Sequence, residues 1–131
     1  MSVFKYEKDT DGIVTVTMDM SGPVNAMNAE YRTAMGATVD RLECEEGLTG
    51  VVLASAKKVF FAGGDLNDLL AVTADRAQEF MTEVTLVKSH LRRLEQLPVP
   101  VVAAINGAAL GGGYEICLAC NHRVAWNDRS V

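Results

Sequence analysis

An α/β domain built on a largely parallel sheet is the fold this sequence predicts, and three observations predict it. Short β-branched runs alternate with longer stretches of helical periodicity, two of those runs pass through glycine straight into a helix, and no linker or low-complexity segment divides the chain. With 131 residues, 49% of them apolar, and a mean hydropathy of +0.12, the chain can bury a core without disulfides or a structural metal.

The segments Phe4 to Lys8 and Ile13 to Asp19 alternate apolar and polar residues around Asp11-Gly12 and predict a β-hairpin, which Ser21-Gly22-Pro23 ends. From Asn28 to about Glu46, the residues Tyr31, Met35, Val39 and Leu42 recur at helical spacing, with Asn28 as the cap and Gly47 as the stop. Val51 to Ser55 reads as a strand buried on both faces, continued after Lys57-Lys58 by Phe60-Phe61. Between Thr73 and Leu97, the residues Ala77, Phe80, Met81, Val84, Val87, Leu91 and Leu94 keep a helical period, and Asp75, Glu79, Glu83, Lys88, Arg92 and Arg93 take the other face. Leu97-Pro98-Val99-Pro100 stops that helix. Val101 to Ile105 is a further buried strand, about Gly112 to Cys120 an apolar helix, and Arg123 to Trp126 the start of another strand.

Composition excludes several classes of partner. Twelve basic against seventeen acidic residues give a net charge of −5 and a pI near 4.9, so no electrostatic footprint for nucleic acid or an anionic membrane exists. The longest apolar stretch, Val99 to Ile105, is broken by Pro100 and falls far short of the roughly 20 residues that span a bilayer. The first residues alternate Phe4 and Tyr6 with Lys5, Glu7 and Lys8 and lack a secretory signal, so a cytoplasmic location is expected. Cys44, Cys117 and Cys120 are too few for a disulfide scaffold. The Cys117/Cys120 pair lies inside an apolar helical pattern and predicts buried structural thiols; with His122 it supplies only part of a zinc site, and no metal site is expected.

The segments Phe60 to Leu66 and Ile105 to Glu115 each run from a buried strand through glycine into a helix. A helix start leaves N–H groups unpaired, and glycine lets a ligand approach the backbone, so each turn is a candidate anion or oxyanion site. Glycines after a strand also serve tight turns and close packing alone, and neither segment carries a P-loop or Rossmann signature. Glu115 adds weight: it follows Gly112 by about one helical turn, and a carboxylate within the run Leu110 to Ala119 is expensive to bury without a task. Taken singly, it is read in preference as a partner for the helix dipole.

Three motifs, Pro23-Val24-Asn25-Ala26-Met27-Asn28, Phe61-Ala62-Gly63-Gly64-Asp65-Leu66 and the run from Pro98 to Glu115, resemble the crotonase, or enoyl-CoA hydratase/isomerase, superfamily. The resemblance covers essentially the whole chain and is nearest to the amino-terminal hydratase part of multifunctional fatty-acid β-oxidation proteins. It implies a crotonase-like ββα superhelical spiral, of which residues 1–131 are the amino-terminal portion of a single domain. It also implies hydration of a trans-2-enoyl-CoA to the 3-hydroxyacyl-CoA, with the N–H groups of Gly64 and Gly112 as the oxyanion hole and Glu115 as general base. CoA, which enters as part of the substrate and not as a cofactor, is then held along Val24 and Ala26 and around Ala62, Asp65 and Leu66. Asp65 competes for a second role as helix cap, the reading favoured here. Leu69, Leu70 and Tyr114 are read either as acyl-pocket wall or as ordinary core. Lys57 and Lys58 are read either as phosphate contacts or, preferably, as solvated lysines.

Hydratases of this family pair the first glutamate with a second one in a loop downstream of the position matched by Val131. The resemblance therefore leaves an isomerase, or a non-catalytic module of the same fold, as alternatives, and these 131 residues are expected to turn over poorly alone. It further implies a homo-oligomer based on trimers.

Overall fold

The alternation of Phe4 to Met18 closes as the predicted hairpin. In the computed structural model, which describes residues 2–131, β1 (Phe4–Lys8) lies antiparallel to β2 (Ile13–Met18), with Phe4 opposite Met18 and Lys8 opposite Val14. Three more strands add in sequence order, β3 (Gly50–Ser55), β4 (Val101–Ile105) and β5 (His122–Ala125), each parallel to the strand before it. Register stacks the core into rows: Val14, Val51 and Val101 are neighbours, as are Val16, Leu53 and Ala103, and all six are essentially inaccessible. A parallel sheet reads as continuous apolar sequence when both faces are covered. Here one face of β3 is sealed, and Val52 and Ala54 on the other are only half-buried, which corrects the expectation of burial on both faces.

Between the strands lie α1 (Ala29–Glu43), α2 (Leu66–Leu70), a 3₁₀ turn at Ala74–Arg76 leading into α3 (Ala77–Glu95), and α4 (Gly112–Ala119). The Asn28 side chain caps α1 by accepting from the Tyr31 N–H at 3.0 Å. The helix stops at Glu43, earlier than the glycine signal suggests, because the following acids are claimed by β1. The Tyr6 hydroxyl donates to Glu45 at 2.9 Å and Lys8 to the Glu46 carbonyl, and Gly47 then reverses the chain at φ +67°. Helix α1 meets α3 where Gly36 leaves room for a buried His90: a Cβ there would lie 3.1 Å from the imidazole. Arg93 ties the outer edge of that contact to Asp40 and Glu43.

Two expectations are revised. Phe60-Phe61 does not continue β3; both side chains are fully buried, but the backbone forms an isolated parallel bridge between Phe61 and Ala109. The apolar stripe of α3 is not core along its length, since only Val87, His90 and Leu94 are buried and Met81 is 56% exposed.

Candidate active site

Backbone pairing brings the three sequence motifs together as adjacent strips. The N–H groups of Phe60 and Phe61 both reach the Ala108 carbonyl, at 3.0 and 3.2 Å, and Leu110 donates to the Phe61 carbonyl at 3.0 Å. On the other side, Ala62 donates to the Asn25 carbonyl and Met27 to the Gly63 carbonyl, both at 2.8 Å. Asn25 is fully buried and locks the arrangement. Its amide oxygen accepts from the Met20 N–H, and its NH₂ group donates to Ser55 Oγ at 2.9 Å and to the carbonyls of Phe60 and Met18. Buried amides are costly unless so satisfied. The sequence reading passed over Asn25, although a polar residue between Val24 and Ala26 is a usable signal.

Glycine is required where the strips meet α4. Gly63, at φ +95°, approaches Leu110 so closely that a Cβ would lie 2.8 Å from its carbonyl oxygen. Gly111 caps α4 at φ +50°, ψ −120°, a region that side chains avoid. At Gly113 a Cβ would come within 2.5 Å of the Phe61 carbonyl oxygen, and at Gly112 within 2.8 Å of the Met27 methyl.

Gly64, Gly112 and Glu115 open onto one cavity of about 1050 Å³ between α1, α2, α3 and α4. Both glycines line that space, and among the described residues neither the Gly64 nor the Gly112 N–H donates to a backbone acceptor. Phe80, Val84, Val87 and Leu91 of α3 form an apolar wall with Leu69 and Leu118. That explains why the α3 stripe is only partly buried: its outer part lines the cavity. Charged side chains sit at the rim, where Arg32 and Glu83 pair across α1 and α3 at 3.5 Å.

Glu115 lies in the first turn of α4 as expected, but it is exposed to the cavity rather than sunk in the apolar run. Its Oε2 stands 3.9 Å from the Cβ position of Gly112. Asp65 also borders the cavity, and its carboxylate caps α2 by accepting from the N–H groups of Asn67 (2.9 Å) and Asp68 (3.3 Å). Val24, Ala26 and Ala62 are half-buried along the strips beside the cavity, and Leu66 is 74% exposed; none of the four lines it. Of the three side chains read as acyl wall or core, only Leu69 is on the wall. Leu70 is 84% exposed and Tyr114, rotated about 100° from Glu115 on its helix, is 48% exposed, so neither is wall or core. Lys57 is committed to Asp19 at 2.8 Å, while Lys58 is exposed. Cys117 and Cys120 are buried thiols, which desolvation pushes up to about 11 and about 12.

Comparison with known proteins agrees with this architecture. Residues 8–130 match the family described as enoyl-CoA hydratase/isomerase, and the chain belongs to that family. Its fold is the crotonase fold. An enoyl-CoA hydratase from Mycobacterium smegmatis superposes with a TM-score of 0.86 at 27% identity, over 94% of this chain and 47% of that one. An enoyl-CoA hydratase from Bacillus halodurans gives 0.85 at 28% identity, over 95% and 50%, and one from Bacillus anthracis gives 0.83 at 28%, over 94% and 47%. The chain thus spans about half the length of these solved relatives.

Proposed function

We propose that this chain carries the amino-terminal part of an enoyl-CoA hydratase acting in fatty-acid β-oxidation. The observation that carries the reading is that Gly64 and Gly112, whose N–H groups make no backbone hydrogen bond among the described residues, line a single cavity together with Glu115 and an apolar wall. The N–H groups receive the thioester oxygen of a trans-2-enoyl-CoA. The Glu115 carboxylate takes a proton from water as its oxygen bonds to the β-carbon, and the π electrons move onto the thioester oxygen as an enolate. Two preorganised donors favour that charge, each worth on the order of 3 kcal/mol of barrier. A second acid, other than the groups named above, then protonates the α-carbon. The acyl tail lies along Phe80, Val84 and Leu91. CoA takes part only as the carrier of the acyl group, held beside Val24, Ala26 and Ala62, with Asp65 and Leu66 at the edge. The assembled protein is proposed to be a cytoplasmic, trimer-based homo-oligomer.

Binding and turnover test different parts of this reading. A conjugated enoyl-CoA held by both N–H groups absorbs at longer wavelength than the free thioester, because polarising the carbonyl extends the conjugation. Binding without that shift would remove the oxyanion hole from the proposal. In protein that also supplies the second acid, crotonyl-CoA hydration is expected to fall by about 10²- to 10⁴-fold in Glu115→Gln with KM little changed. Isomerisation of a 3-enoyl-CoA with no hydration would replace the hydratase by the isomerase.

A further inference from the structure

Met27 joins the two glycines of the proposed oxyanion hole. Its backbone forms an isolated parallel bridge with Gly64, and its N–H donates to the Gly63 carbonyl at 2.8 Å. The next residue, Asn28, caps α1. The backbone is therefore tied down on both sides, which fixes where the side chain starts. From there the thioether reaches α4: Sδ lies 3.0 Å, and the terminal methyl 2.8 Å, from the point where Gly112 would carry a Cβ. Met27 lines the same cavity as Gly64, Gly112 and Glu115.

Glu115 Oε2 lies 3.9 Å from that same point over Gly112. The methionine tail thus stands where the N–H end and the carboxylate end of the site come together. Bond connectivity decides which substrate atom arrives there. The thioester oxygen belongs at the two N–H groups, and the β-carbon belongs within reach of water held by Glu115. The α-carbon is bonded to the carbonyl carbon and to the β-carbon, so it passes between those two places and against Met27.

We infer that Met27 determines specificity at the α-carbon: the site takes 2-enoyl thioesters whose α-carbon carries only hydrogen and discriminates against those that carry an α-methyl group. This role rests on the oxyanion-hole reading of Gly64 and Gly112. A methyl in place of the α-hydrogen needs the volume that Met27 holds, so either the methionine turns aside or the thioester withdraws from the N–H groups. Methionine is unbranched and yields at a cost, which makes the discrimination graded. One methyl group too many in an apolar contact changes selectivity by about 10- to 200-fold.

Binding reads this role without turnover, so the 131-residue chain is titrated by calorimetry with crotonyl-CoA and with 2-methylcrotonyl-CoA. The parent is expected to bind crotonyl-CoA about tenfold or more tighter than its 2-methyl homologue. Met27→Ala is expected to bring that ratio to within about twofold of unity, chiefly by tighter binding of the branched ligand. Met27→Val keeps more of the contact with the core and has no atom beyond Cγ; it is expected to narrow the ratio in the same direction, and it carries the test if Met27→Ala does not fold. A parent ratio near one, or a ratio that the folded variants leave unchanged, would overturn the inference. The absorbance of bound crotonyl-CoA separates this failure from that of the functional reading. A shift to longer wavelength with an unchanged ratio would defeat the Met27 role alone and leave the oxyanion hole standing. Binding without the shift, or no binding of either thioester, would defeat the oxyanion hole and the Met27 role with it.

Discussion

Cys44 differs from the other two thiols in exposure, and that difference is measurable. Cys117 and Cys120 are buried with their thiols pushed up to about 11 and about 12, so at neutral pH they are protonated and shielded. One equivalent of a thiol reagent is expected to react with the native chain and three after denaturation; fast reaction of a second thiol would contradict this burial. His90 sets a pH dependence. Burial first, and the charge of Arg93 second, hold its imidazole below the ordinary 6.5, with Asp40 pulling the other way. The unfolded chain binds that proton near 6.5 while the folded chain stays neutral, so stability is lost as the pH falls through and below 6.5 and is unaffected above it. Melting temperature should decline more steeply between about pH 7.5 and 5.5 in the parent than in His90→Gln, and equal slopes would refute the assignment. His90 was invisible in the sequence because it occupies a position between Val87 and Leu94 whose burial depends on Gly36 of another helix.

At the scale of elements, the start of α4 offers a clean test of the proposed oxyanion hole. Gly112 is the first residue of the helix, a position that favours proline and whose N–H has no intrahelical partner. Gly112→Pro should therefore keep α4, shift the flexible end of the Met27 side chain, and delete one donor. In protein that also supplies the second acid, loss of hydration by about 10²- to 10³-fold with the circular dichroism spectrum retained is expected; full activity would show that this N–H does no catalytic work. Helix existence was legible throughout, since Asn28, Asp65 and the α3 period are local signals. The fate of the α3 stripe was not. Periodicity says which residues share a face, but Phe80 and Leu94 share one and meet different things, a cavity and a core.

Across the whole molecule, the largely parallel sheet followed from strand and helix alternation, and the three motifs foretold which turns would meet. What no local pattern contained was the stitching between them. Asn25 joins the β2 exit, Ser55 and Phe60 through one amide. Asn25→Ala leaves several buried groups unpaired at once and is expected to destabilise the fold by about 2–4 kcal/mol in urea unfolding; a change below about 0.5 kcal/mol would mean that water replaces the amide. The cavity gives a second global prediction. Val84→Trp should weaken binding of long-chain acyl-CoA about tenfold or more while leaving crotonyl-CoA nearly unaffected, as calorimetry with both ligands would show.

The three consecutive glycines at 111–113 also bear on how the segment tolerates mutation. Identical letters answer to unlike constraints: a backbone angle at Gly111, a soft methionine at Gly112 and a rigid carbonyl at Gly113. A saturation scan would thus return three different profiles. Position 112 would admit small side chains that nudge Met27 aside, 111 would admit few residues at a cost spread evenly over side-chain size, and 113 would reject even alanine.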